Sequence, residues 1–62
     1  MKPLVNVDIK MPAAVLRALS LYETFCVVSG ITEVTQEEVI SFIKEKAGDK
    51  VANQFRPEYL YS

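Results

Sequence analysis

Between Leu4 and Met11 apolar and polar residues alternate. Val5, Val7, Ile9 and Met11 fall on one side, and Leu4, Asn6, Asp8 and Lys10 on the other. A period of two predicts a half-buried β-strand, its first side turned to a core and its second to water. Pro12 ends the alternation and suits the first turn of a helix, where its missing N–H would have no partner anyway. The run from Ala13 to Val28 predicts that helix. Its polar residues, Arg17, Ser20, Glu23 and Thr24, make one narrow stripe, and the rest of its surface is apolar. A helix apolar nearly all round is a buried one, and one further helix from so short a chain cannot cover it.

Ser29-Gly30 can close the first helix, with glycine as the left-handed cap. Ile31 to Val34 is a connection. Thr35-Gln36-Glu37-Glu38 then reads as a capping box, in which the threonine side chain accepts from the backbone three residues on and Glu38 reaches back. The second helix turns Val39, Ile40, Ile43 and Ala47 inward with Phe42 beside them, and Gly48 stops it. Asp49 can cap a short third turn through Phe55, and Pro57 disfavours helix at Arg56. This divides the chain into one strand–helix–helix domain, residues 1–55, and a mobile aromatic tail, residues 56–62.

A lone strand leaves backbone donors and acceptors without partners. The chain has only 62 residues, a size at which disulfides, a metal or oligomerisation usually supplement the core. Cys26 is its one cysteine and there is no histidine, so an internal disulfide is impossible and a zinc site is not expected. A homodimer is expected instead, with two copies of the strand paired. Cys26, between Phe25 and Val27, reads as a buried, reduced thiol in a cytoplasmic protein. The polarity of Ala13 to Ile31 argues against a membrane span. No glycine-rich phosphate loop, paired carboxylates or activated nucleophile can be picked out, so neither an enzyme nor a cofactor is expected.

Asn6-x-Asp8-x-Lys10-Met11-Pro12-x-x-Val15-Leu16, followed by Glu38-Val39-Ile40-Ser41-Phe42-Ile43, resembles the ribbon–helix–helix family of the Arc and methionine repressors. The resemblance covers about residues 4–47. It implies a mainly α fold with one short N-terminal strand and an intertwined homodimer with a two-stranded antiparallel ribbon between chains. It also implies a transcriptional regulator, repressor-like, whose ribbon reads the major groove of double-stranded DNA. By position the base readers would be Asn6, Asp8 and Lys10, and the helix start after Thr35 would meet a phosphate.

A second reading stays open. The formal net charge is -1, and Asp8, Glu37 and Glu38 put negative charge where the first reading places DNA. The alternative is a small protein-interaction module, antitoxin- or inhibitor-like, acting through its ribbon or its C-terminal tail. Phe55, Tyr59, Leu60 and Tyr61 are the anchors it offers to a partner, because tyrosine is enriched at interfaces. A structural alternative is a small all-α, helix-turn-helix-like domain, which leaves the N-terminal alternation without a role.

Overall fold

α1 spans Ala13–Ser29 in a computed structural model that describes residues 4–60. Pro12 stands at its N-cap, and the Pro12 carbonyl accepts from the Leu16 N–H at 3.0 Å. Gly30 ends the helix at φ 72°. Its N–H bonds to the Val27 carbonyl at 3.3 Å, and the Ile31 N–H to the Cys26 carbonyl at 2.9 Å. That pair is a Schellman motif, which satisfies carbonyls the helix would otherwise leave free. Ile31 then folds half-buried against the core that contains Cys26.

α2 spans Gln36–Ala47. The Thr35 hydroxyl accepts from the Glu38 N–H at 3.3 Å and donates to the Glu38 carboxylate at 3.0 Å. Glu38 therefore does reach back, but to the hydroxyl rather than to the backbone N–H that a full capping box uses. Gly48 joins α2 to α3, Asp49–Gln54, with φ 94° and ψ 168°. Residues with a side chain are essentially excluded from that region. Gly48, and not Asp49, holds the N-cap of α3. Asp49 lies 4.0 Å from Lys44 in an exposed pair, a kind that contributes little.

One stripe of α1, Val15, Ala18, Leu19, Tyr22 and Cys26, is buried against Val39 and Ile43 of α2 and Ala52 of α3. Ile40 and Ala47, expected inside, are exposed; the buried face of α2 is narrower because Phe42 and Val34 fill its flank half-buried. Burial pushes the Tyr22 phenol above its ordinary pKa, with Cys26 beside it adding to the effect. Burial likewise pushes the Cys26 thiol up, partly offset by a hydrogen bond from Tyr22. The core thus holds both groups in their neutral forms.

The chain is mainly helical, and the segment from Leu4 to Met11 is not a strand. Val5 makes a single antiparallel bridge with Leu60, and the Asn6 N–H donates to the Tyr59 carbonyl at 2.8 Å. The Asn6 side chain then accepts from the Asp8 N–H at 3.2 Å, and the Ile9 N–H bonds to the Asn6 carbonyl at 3.3 Å. Asparagine offers the backbone this local turn in place of a ladder. The turn destroys the alternation: Val5 is buried, whereas Val7 is 82% exposed. Residues 4–11 thus form no strand, and partners for the Asn6 and Ile9 N–H groups come from within the chain.

The tail is equally different from expectation. A 3-10 turn, Pro57–Tyr59, folds it back, and Tyr59 is only 7% exposed. Its ring meets Phe55 edge-on, with centroids 6.3 Å apart. Arg56 is extended before Pro57, as the proline demands. The domain as packed therefore runs past residue 55 to Leu60. Tyr61 and Ser62 lie outside the described residues, where the last of the expected anchors falls. No helix among the described residues is long and apolar enough to cross a membrane.

Tyr59→Ala should cost about 3 kcal/mol in urea denaturation, the usual price of emptying a large aromatic site. For a domain of this size, whose total is commonly about 3–9 kcal/mol, that is about a third of the total or more. An undiminished midpoint would mean that the tail does not pack on the core.

Gly48→Ala should destabilise by about 1–3 kcal/mol through backbone strain alone, since nothing lies within 4 Å of a Cβ added there. Gly30→Asn should cost less, because asparagine tolerates the left-handed region. Thermal melts of the two variants should rank in that order.

Both raised pKa values make folding resist ionisation. The stability tied to them is fully present below the unfolded-state values, about 8.5 for a thiol and about 10 for a phenol. It is lost as pH rises through the higher folded values. The melting temperature should hold to about pH 8 and then fall, with the thiol unreactive toward alkylating agents until the chain unfolds.

Candidate interaction surface

Two of the residues expected to read DNA, Asn6 and Lys10, line different depressions, with Ile9 bordering both. Asn6 is half-buried in the cleft it forms with Val34, Gln36 and Pro57. Asp8 is exposed at the turn, its N–H held by the Asn6 side chain. Lys10 lines a different depression, together with Val7, Met11 and Leu16. Thr35 is exposed but its hydroxyl is engaged by the cap of α2, and Glu37 and Glu38 follow it in the first turn. The structure brings Asn6 and Asp8 together and leaves Lys10 elsewhere.

Of the residues expected to anchor a partner, Phe55 and Tyr59 are buried and in contact with each other. Leu60 is half-buried at the bridge to Val5. Their apolar surface is already used within the fold, so in the folded chain they offer a partner little.

Most of the exposed large apolar side chains lie on α1; Val7 and Ile40 are exposed elsewhere, and Leu16 and Val27 on another side of the same helix. Leu21 is 53% exposed, Phe25 47% and Val28 81%. On a helix of 3.6 residues per turn these three share one stripe, and Ala14 and Arg17 extend it toward the N-terminus. The buried stripe of the same helix lies next to it, so α1 is apolar over two adjoining faces and only one of them is covered.

α2 runs antiparallel alongside this stripe, and the surroundings differ at its two ends. Toward the start of α1, Arg17 and Leu21 line a groove with Lys46, Ala47 and Val51. Toward its end, Phe25 lies in a depression rimmed by Glu37, Glu38 and Glu45. Phe42 joins the two helices here: its ring lies 4.6 Å from Tyr22 and 6.1 Å from Phe25, and those two are 6.0 Å apart. Aromatic rings at such separations attract beyond their buried area, which holds Phe25 in place at the surface.

The aromatic cluster escapes a reading of the sequence, although Tyr22 and Phe25 stand three apart on one helix, a spacing that brings side chains together. The exposed stripe does have a signal there: too many apolar residues around α1 for one partner helix. No group of three or more His, Cys, Asp or Glu that could hold a metal is found among the described residues. Comparison with known protein families, with curated proteins and with solved structures finds no match for this chain.

Proposed function

We propose that this protein is a small interaction module that works by docking another polypeptide on the exposed stripe of α1. The observation that carries the reading is the run of Leu21, Phe25 and Val28, each about half exposed or more, on a helix whose neighbouring face is fully buried. Single exposed apolar residues are ordinary, but contiguous ones on a rigid element mark contact sites. The helix is fixed from behind by Leu19 and Val15, both completely buried, so docking would cost little ordering of its backbone.

Reading DNA through a ribbon asks for a larger change. Val5 would leave the core, the bridge to Leu60 would break, and the Asn6 turn would open before two strands could pair. That route also has few cations for phosphate, the interaction that supplies much of DNA affinity.

Two measurements test the proposal together. A photoreactive residue at Val28 should capture protein in cells expressing the chain, and one at Asn53, exposed on α3, should not. Titration with duplex DNA over a salt series should show no binding that depends steeply on salt. Salt-dependent binding that is lost in Lys10→Ala, with no capture from Val28, would return the function to a DNA-binding regulator.

A further inference from the structure

The stripe on α1 is arranged symmetrically about Leu21. Ala14 precedes it by seven residues and Val28 follows it by seven; Arg17 precedes it by four and Phe25 follows it by four. If a second α1 lies antiparallel across the first with Leu21 against Leu21, a small residue faces a larger one at each end, Ala14 opposite Val28. Arg17 of each chain falls opposite Phe25 of the other, where a guanidinium over an aromatic face is attractive.

Charge follows the same symmetry. The half of the groove near the start of α1 carries Arg17 and Lys46. The half near Phe25 carries Glu37 and Glu38, while Glu45, next to Lys46 in sequence, stands near the middle. An antiparallel pair sets the cationic half of each copy against the acidic half of the other, twice over. A parallel pair would set like against like. A self-complementary patch of this kind is what a two-fold interface requires.

We infer that the occupant of the α1 stripe is a second copy of this chain, paired antiparallel about Leu21 in an isologous dimer. The inference rests on the docking role proposed above and names its partner. It differs from a ribbon dimer in using α1 and leaving the N-terminal turn intact.

Sedimentation across the micromolar-to-millimolar range should show a reversible monomer–dimer equilibrium. Leu21→Glu, at an exposed position, should leave the chain folded by circular dichroism and monomeric throughout. Arg17→Glu and Glu37→Lys should each weaken the dimer at least tenfold, because each puts like charges together at both symmetric contacts. Mixing those two variants should restore a heterodimer, since each contact then joins opposite charges again. A chain monomeric at all concentrations would overturn the inference, and so would a dimer insensitive to Leu21→Glu or a mixture that fails to pair. Capture of a different protein from Val28 by a monomeric chain would overturn the self-pairing while leaving the docking role standing.

Discussion

The packing of one side of α1 against Val39 and Ile43 is the contact on which the rest of this chain depends. Val15, Leu19 and Cys26 are completely or almost completely buried there, and each fully buried large aliphatic chain contributes about 1.5–3 kcal/mol. α3 closes one end of that seam through Ala52, and the folded-back tail adds Phe55 and Tyr59. The same packing dictates where the uncovered stripe can lie. With α2 along one side of α1, Leu21 and Val28 are left facing outward, and Phe25 is pinned between them by the rings of Tyr22 and Phe42.

Much of the helical part was legible in the sequence because its signals are local. Gly30 adopts the left-handed cap that its place after Ser29 implied, Thr35 accepts from Glu38, and Gly48 stops α2. These depend on residues within a few positions of each other, so tertiary structure has little chance to override them. The excess of apolar surface on α1 was also readable, and Leu21, Phe25 and Val28 do stand exposed there. What the pattern could not say is which part of that surface the tail and α3 would take.

The N-terminal segment was misread for a physical reason. Alternation in Val5 to Met11 is real in the sequence, but a period-two pattern only forms a strand if something supplies a ladder. Here the Asn6 side chain reaches the Asp8 N–H first, and the Tyr59 carbonyl takes the Asn6 N–H. Both partners belong to the same chain, one two residues away and the other more than fifty. The tail as far as Leu60 packs within the fold for the same reason, since Tyr59 supplies the carbonyl that the Asn6 N–H uses. Of the residues expected to read DNA, Lys10 and Asn6 line different depressions.

The meeting of Val5 with Leu60 ties nearly the first described residue to the last. A chain is made from its N-terminus, and domains complete their packing only when the segments they need have emerged. α1 and α2 can find each other early, through contacts that span few residues. Val5 then stays uncovered until Leu60 has been made. Their contact shuts the longest loop among the described residues, which makes Tyr59 and Leu60 the clasp of the described fold.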